Sequence, residues 1–241
     1  MKIIFMMLVI AYSLFGNSLP KGYYVYSDTL YAELNATFPE FYVPPYFGAL
    51  IDHESCITST HSKCWNPLSR LKTSREEGAG LGQVTRAYNK DGSIRFDTLS
   101  DLVRQYPVQL KGLSWGTVYT RADLQIRAMI LLWKYNYRML SNKGLDYYDL
   151  IAFSDAAYNG GYNGVYKDMQ LCKFKAGCDP RIWFDNVEKT CSKGKTILYG
   201  NRSACDINRD HVRLVMKKHL DPYVLDWTNQ NYIKKYQIKI E

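Results

Sequence analysis

The stretch from 121 to 140 constrains the fold of this chain more than any other. Its apolar residues recur at helical spacing, and most of the positions between them are apolar as well. One stripe comprises Ala122, Ile126, Met129, Ile130, Trp133, Tyr137 and Leu140, and further apolar positions are Leu124, Ala128, Leu131, Leu132 and Tyr135. A helix that is apolar nearly all round is surrounded by other elements. The sequence therefore predicts one domain built around a central helix.

The remainder of the chain also reads as mainly helical. Pro44-Pro45 favours a helix start, and the following residues place Phe47, Leu50, Ile51 and Glu54 on one face. Further helices are predicted from 98 to 106, with Thr98 and Asp101 as a capping pair, from 146 to 161, and from 207 to 219. Strand signals are confined to a small hairpin over 84–97, and 173–199 reads as a loop-rich, cysteine-bearing insertion. We expect a mainly α protein.

The N-terminus has the layout of a secretory signal peptide. Lys2 supplies a positive charge, residues 3–15 are almost entirely apolar, and Gly16 and Ser18 are small residues suited to a cut after Ser18. The apolar run is shorter than the roughly 20 residues of a membrane span. We expect 1–18 to be removed and the mature protein to start at Leu19, in the periplasm or outside the cell, with no stable membrane anchor. An uncleaved or slowly released anchor is the alternative.

Cysteine usage agrees with export. All six cysteines lie beyond the expected cut: Cys56, Cys64, Cys172, Cys178, Cys191 and Cys205. An even number in an exported chain predicts disulfides, and closing nearest neighbours is one of several possible pairings. No familiar zinc spacing is present, since the alternative set of His53, Cys56, His61 and Cys64 does not fit one. We therefore expect no metal site.

Charge and size limit the kinds of partner. The chain has 241 residues, a formal net charge of +8 and 21 tyrosines. A basic, aromatic-rich exported domain suits an acidic polymer of the cell envelope, although a generally basic solvated surface explains the charge equally well. Lys and Arg are spread among acidic residues, so nucleic acid is not expected as a partner.

Three short stretches carry the chemistry. Residues 49–55 read Ala-Leu-Ile-Asp-His-Glu-Ser, residues 78–83 read Gly-Ala-Gly-Leu-Gly-Gln, and residues 156–161 read Ala-Ala-Tyr-Asn-Gly-Gly. An acid on an apolar helix face has a raised pKa, so Glu54 is a candidate general acid. The glycines of 78–83 permit close approach of a ligand. No Lys-Ser/Thr follows them and no strand is predicted before them, which excludes a phosphate loop.

Each stretch also has a purely structural interpretation. Glu54 could be a helix-end glutamate paired with Arg70, Lys72 or Arg75. The glycines could form a plain tight turn. Tyr158 could be a core aromatic, with Asn159 as a helix C-cap before Gly160-Gly161.

Taken in this order and spacing, the three stretches resemble the soluble lytic transglycosylase family, which is related in fold to goose-type lysozyme. The resemblance covers 46–162, with a weaker continuation to 219. It implies a lysozyme-like helical catalytic domain over 44–241, with 19–43 as an N-terminal aromatic segment packed on it. It also implies a monomer that acts on peptidoglycan glycan strands without a cofactor.

The resemblance assigns roles to individual residues. Glu54 would be the catalytic acid in cleavage of the bond between N-acetylmuramic acid and N-acetylglucosamine, and Ser55 would orient the acid or the substrate's N-acetyl group. The substrate groove would be lined by Gly80, Leu81, Gly82 and Gln83. The acetamido sugar would be held by Tyr158, Asn159 and Gly161, with Tyr158 also hydrogen-bonding Glu54. No second carboxylate is required, and only Glu76, Glu77 and Asp97 would qualify as one.

Two departures from the family pattern stand out. The segment between Glu54 and Gln83 is long and carries Cys56, Cys64 and Trp65. Where the family often has a tyrosine on a late helix, residues 208–212 supply His211.

A goose-type lysozyme that hydrolyses the same bond and a catalytically idle wall-binding protein remain alternatives. A phage lysis enzyme, a virion or secretion-system cutter and a housekeeping enzyme would share these motifs.

Overall fold

Helix α4 (Ala122–Leu140) lies at the centre of the molecule, as its sequence predicts. The structure is a computed structural model, and it describes residues 19–229. Ile126, Met129, Ile130 and Trp133 of α4 are fully buried. The Trp133 ring contacts the rings of Phe38, Phe41, Tyr46 and Phe47.

The described residues are mainly helical. The other helices are α1 Lys21–Thr37, α2 Pro45–Ser55, α3 Thr98–Gln105, α5 Tyr147–Gly160, α6 Tyr162–Lys173, α7 Ala204–Arg213 and α8 Leu220–Asn229. Short 3₁₀ turns occupy Val118–Thr120 and Val187–Lys189, and a π-helical segment, Leu214–His219, joins α7 to α8. Helix α4 packs against α1, α3 and α5, while α2 packs against α8 and the π-helical segment.

Helix α2 begins where the sequence predicts. Pro45 occupies its first turn, where a missing N–H leaves no hydrogen bond unmade. Its apolar residues are buried, and Gly48 lets the helix approach α8 closely, because a Cβ there would lie 2.5 Å from Cδ1 of Tyr223. The close approach brings polar groups of the C-terminal helices to the end of α2 that carries Glu54.

A small antiparallel sheet contains the predicted hairpin and two strands that the sequence did not predict. Its order is β1 (Arg70–Lys72), β2 (Glu76–Ala79), β3 (Val84–Tyr88), β4 (Ile94–Asp97), and β3 with β4 forms the hairpin over 84–97. The expectation that no strand precedes the glycine turn was wrong, since β2 ends at Ala79 opposite Val84. Strands this short, with little apolar alternation, depend on their neighbours and leave little local signal.

The cysteines pair as nearest neighbours. The disulfides are Cys56–Cys64, Cys172–Cys178 and Cys191–Cys205, with Cα–Cα distances of 4.0, 5.3 and 6.1 Å. The third lies beside a two-stranded sheet, β5 (Ile197–Tyr199) with β6 (Arg202–Ser203), in and after the loop-rich 173–199. Disulfides of this number indicate an oxidising, exported environment.

The expected signal peptide and the N-terminal segment precede helix α2 in the chain. None of the helices between residues 19 and 229 combines the length and the apolar character needed to cross a membrane. The expected signal peptide, 1–18, lies outside the described residues. Residues 19–43 form α1 and a following turn, whose Tyr23, Leu30, Tyr31, Phe38 and Phe41 are buried in the same core as α2, α4 and α5.

Helix ends follow local capping rules, with one correction. Asp146 caps α5 through the Asp149 N–H at 2.8 Å, and Gly161 ends that helix at a φ of 80°, both as predicted. The predicted cap pair of Thr98 and Asp101 was wrong. Asp97 is the N-cap of α3 and accepts from the Ser100 N–H at 2.9 Å, since its carboxylate lies directly before the first turn.

Candidate active site

Glu54 projects from the last turn of α2 into a largely desolvated position. Its side chain is 16% exposed, and its Oε1 lies 3.7 Å from Nδ1 of His211. Burial raises the pKa of Glu54 to about 7, the charge of His211 opposes that rise and the charge of Asp155 adds to it. A carboxyl in this state holds its proton near neutral pH and can also give it up.

The cations expected under the structural interpretation lie elsewhere. Arg70 forms an ion pair with Glu77 at 2.6 Å, and the guanidinium of Arg75 lies over the ring of Tyr199. Among the described residues, the ion pair of Glu54 is the one with His211.

Ser55 has partners different from those that the resemblance implies. Its Oγ donates to the Ile51 carbonyl at 2.7 Å and accepts from the Trp65 N–H at 3.0 Å. The side chain is buried and fastens the segment closed by Cys56–Cys64. The structure therefore gives Ser55 an anchoring position next to the acid rather than an open one.

The glycine turn is packed against the central helix. The Leu81 N–H donates to Oε1 of Gln125 at 3.0 Å, and Leu81 is fully buried. Gly80 has a φ of 73°, and a Cβ on Gly82 would lie 2.8 Å from Cβ of Met129. Glycine is required at both positions, at Gly80 by the backbone conformation and at Gly82 by the close approach.

Gln83 holds the turn together. Its Nε2 donates to the carbonyls of Gly80 at 2.7 Å and Ser69 at 3.3 Å. The resemblance implies that the Gln83 side chain or neighbouring amides contact substrate, whereas here the amide nitrogen of Gln83 is used within the protein. The backbone of 80–83 is the part of the turn that faces the neighbouring Tyr158.

Tyr158 connects the glycine turn with the surroundings of the acid. Its hydroxyl donates to the Gly82 carbonyl, so the expected hydrogen bond to Glu54 was wrong. Its ring stacks on that of His211 with centroids 6.5 Å apart. Burial raises the pKa of Tyr158, and the charges of Glu54 and Asp155 raise it further, which places all three groups in one electrostatic neighbourhood.

Asn159 and Gly161 lie exposed at the end of α5. Oδ1 of Asn159 accepts from Nδ2 of Asn208 at 3.0 Å, and the same Nδ2 donates to the Ala156 carbonyl at 2.9 Å. The end of α5 is thereby tied to α7, the helix that carries His211.

Sequence analysis missed a buried polar chain behind the acid. Nε2 of His211 lies 3.1 Å from Oδ1 of Asp155, which also accepts the hydroxyl of Tyr46. Nε1 of Trp133 in turn donates to the Tyr46 hydroxyl at 2.9 Å. The buried polar chain thus runs from Trp133 on the central helix through Tyr46, Asp155 and His211 to Glu54.

A second polar group lies on the other side of α2. Asp52 accepts from the Tyr223 hydroxyl at 2.7 Å, and its Oδ1 lies 3.4 Å from Nδ1 of His219. The His53 ring stands between those of His211 and His219, with centroids 4.5 and 5.9 Å away. Burial, followed by the charges of the other two histidines, lowers the pKa of His53 to about 2, so His53 is neutral.

One signal could have revealed these partners. Asp155 stands in an apolar run, 150–157, and Asp52 follows Ala49-Leu50-Ile51 on an apolar helix. Charged residues are rarely buried without a partner. An isolated carboxylate within a core-forming helix therefore predicts a cation or donor elsewhere in the chain, although it does not identify which one.

The carboxylates considered as a second catalytic group are all engaged elsewhere. Glu77 is bound by Arg70 and by Arg86, Asp97 caps α3 and accepts from Trp115, and Glu76 accepts from Tyr199. Asp155 is close to Glu54 but is fully buried behind His211, where a sugar ring or an attacking water cannot reach it.

Across residues 19–229, one group of three side chains that could hold a metal ion comes together, namely Asp52, Cys56 and Cys64. Both sulfurs belong to the Cys56–Cys64 disulfide and are not available as thiolate ligands.

Comparisons of the chain with protein-family models, with curated proteins and with solved structures gave no match. Any function assigned to the protein therefore depends on the three stretches of sequence and on the geometry around Glu54.

Proposed function

We propose that the protein is a peptidoglycan lytic transglycosylase with a lysozyme-like helical catalytic domain. The observation that carries the proposal is the position of Glu54, a largely desolvated carboxyl whose pKa is raised to about 7 at the end of an apolar helix. The glycine turn and the end of α5 meet beside it through the hydrogen bond from Tyr158 to Gly82. These are the three stretches on which the sequence resemblance depends.

In the proposed reaction, Glu54 acts first as an acid and then as a base. It protonates the oxygen that bridges N-acetylmuramic acid and N-acetylglucosamine, and the bond from C1 to that oxygen breaks. The substrate's own N-acetyl group stabilises the cation at C1. The Glu54 carboxylate then accepts the proton of the muramoyl 6-hydroxyl as that oxygen attacks C1. The products are a 1,6-anhydro end and a free N-acetylglucosamine end, and no water is consumed.

Between residues 19 and 229, no accessible partner carboxylate lies beside Glu54, and this supports the proposed route over hydrolysis. Glycosidases that use two carboxylates place them about 5–9.5 Å apart on either side of the scissile bond. Around Glu54, Asp155 is the neighbouring acid, and it is enclosed by Tyr46 and His211. A goose-type lysozyme remains the alternative enzyme.

The substrate contacts of the proposal lie at the end of α5 and along the glycine turn. Asn159 and Gly161 at the end of α5 and the backbone of 80–83 would hold the acetamido sugar next to Glu54. Residues 44–241 would form the catalytic domain, with 19–43 packed on it. The protein would act as an exported monomer on glycan strands in the periplasm or outside the cell, without a cofactor and without binding nucleic acid.

The mass of the released fragments tests the proposal. Purified sacculi digested with the protein should release muropeptides that lack one water, about 18 Da, relative to those released by a hydrolase. Digestion of the same sacculi with a muramidase provides the matched control. Fragments with the full hydrolytic mass would establish the lysozyme alternative, and intact sacculi would leave the idle wall-binding protein.

A further inference from the structure

We propose that Asp155 and His211 form a positioning pair that keeps an imidazolium facing Glu54 and thereby sets its acid strength. The catalytic meaning of this pair depends on the proposed function, but its electrostatic effect on Glu54 does not.

The geometry around Asp155 requires a cation. Asp155 is fully buried, its Oδ1 receives the Tyr46 hydroxyl and faces Nε2 of His211, and its Oδ2 has no hydrogen-bond partner among the described residues. A buried carboxylate is stable as an anion only when it is paired and hydrogen-bonded. His211 is the cationic group in contact with it.

Both ring nitrogens of His211 face carboxyl oxygens. Nε2 lies 3.1 Å from Asp155 and Nδ1 lies 3.7 Å from Glu54. A neutral imidazole has one N–H and would leave one of these nitrogens without a proton, whereas the imidazolium directs an N–H toward each. The ring is 2% exposed, so water does not replace either partner.

The other groups around His211 do not cancel this charge. From α2 it is faced by Glu54 and by neutral His53, and from α5 by Asp155 and the un-ionised Tyr158. His219, Lys218 and Arg202 act on His53. His219 is paired with Asp52 and is also close enough to His211 for the charge of His211 to lower its pKa. Burial lowers the pKa of His211, but the charge and hydrogen bond of Asp155 together with the charge of Glu54 outweigh burial and raise it.

The pair acts on Glu54 in a definite direction. Burial has the largest effect on the pKa of Glu54 and raises it, the cation of His211 opposes this, and the more remote anion of Asp155 has a smaller effect. The pair as a whole therefore lowers the pKa of Glu54 below the value that burial alone would produce. It also stabilises the carboxylate that remains after Glu54 has given its proton to the bridging oxygen.

This arrangement distinguishes the chain from the family that it resembles. A tyrosine at the comparable place could donate a hydrogen bond to the acid but would carry no positive charge. His211 supplies charge as well, provided that Asp155 keeps it protonated.

The experiment is an NMR titration of the side-chain carboxyl carbon of Glu54 in ¹³C-glutamate-labelled protein, assigned by its loss in Glu54→Gln. The Glu54 midpoint should rise by about one pH unit or more in His211→Gln and in the double variant, because both remove the opposite charge. It should also rise in Asp155→Asn, because His211 then loses the anion that keeps it protonated. His219→Gln is the matched control, because it removes a histidine that contacts His53 and Asp52 rather than Glu54, and it should not move the midpoint.

The double variant guards against misfolding, because two amides can still hydrogen-bond each other without leaving a buried charge. The wild-type protein offers a further measurement. The ¹⁵N shifts of His211 should still show an imidazolium just above about pH 6.5, the ordinary midpoint of a histidine. A neutral His211 at that pH, or a Glu54 midpoint that stays or falls in the folded variants, would overturn the proposal.

Activity separates this inference from the proposed function. With sacculi as substrate, the alkaline limb of the kcat/KM pH profile of the variants should move to higher pH together with the NMR midpoint. That limb reports the pKa of the acid in the free enzyme. If the wild-type protein does not cut sacculi but the Glu54 midpoint still shifts in the variants, the proposed function fails and the positioning pair stands. If the wild-type protein produces anhydro ends but the Glu54 midpoint does not shift in the variants, only the positioning pair fails.

Discussion

Glu54 shows how a single residue obtains its chemistry from its surroundings. Its helix, α2, is apolar, which predicts a raised pKa from sequence alone. The value of about 7 reflects burial together with two charges from α5 and α7. A carboxyl poised near neutral pH can serve in both proton transfers of the proposed reaction.

Replacing this carboxyl tests it directly. Glu54→Gln keeps the shape of the side chain and removes the transferable proton, so the wall-cutting rate should fall by about 10⁴-fold, the upper end for general acid catalysis. The melting temperature should be maintained, because a neutral amide is at least as stable as a carboxyl in this desolvated position. Turbidity loss of sacculi and circular dichroism measure the two quantities.

Glu76→Gln is the matched control for that substitution. Glu76 lies on β2 and accepts the hydroxyl of Tyr199, away from the polar chain behind Glu54. Its variant should keep near-normal activity. Full activity in Glu54→Gln would exclude both enzymatic interpretations, and loss of activity in Glu76→Gln would point to a second carboxylate and hydrolysis.

At the scale of elements, the turn between β2 and β3 depends on close packing with α4 and α5. A Cβ on Gly82 would lie 2.8 Å from Cβ of Met129 and 3.0 Å from the hydroxyl of Tyr158. Gly82→Ala should therefore lower the free energy of unfolding by about 1–3 kcal/mol, the usual cost of overpacking. It should also lower activity, because the hydrogen bond between Tyr158 and the Gly82 carbonyl is displaced.

Denaturant unfolding with Gly116→Ala as the control checks this prediction. A Cβ on Gly116 meets Oγ of Ser114 at 3.6 Å, an ordinary contact, so this variant should be close to neutral. Equal stability of the two alanine variants would mean that the turn is not packed as described.

At the scale of the whole molecule, the disulfides close local segments of different length. Cys191–Cys205 spans 14 residues and Cys172–Cys178 spans 6. Since the stabilisation grows with the loop that is closed, replacing the first pair by serines should cost about 0.7 kcal/mol more than replacing the second, within a typical range of about 2–4 kcal/mol. Urea unfolding of the two double variants measures the difference.

Thiol titration of the native exported protein provides the companion measurement. The six cysteines are all paired, so no thiol should react before reduction. Reactive thiols in freshly exported protein would contradict both the pairing and the oxidising compartment.

The sequence by itself determined the features that depend on near neighbours in the chain. The central helix α4, the start of α2 at Pro45, the hairpin over 84–97 and the cap at Asp146 follow from periodicity and capping. The disulfides agree with closure of nearest neighbours. An acid on an apolar face, Glu54, was visible for the same reason.

Only the tertiary structure decided which groups meet around that acid. His211 and Asp155 lie 56 positions apart in the chain, and Tyr158 and Gly82 lie 76 apart. No local pattern encodes such pairs, because they form when α2, α5 and α7 pack together and bury polar groups that must then find partners. Ser55 and Gln83 illustrate the same limit. Their side chains could face substrate or protein, and the packing of the Trp65 segment and of the glycine turn directs both toward protein.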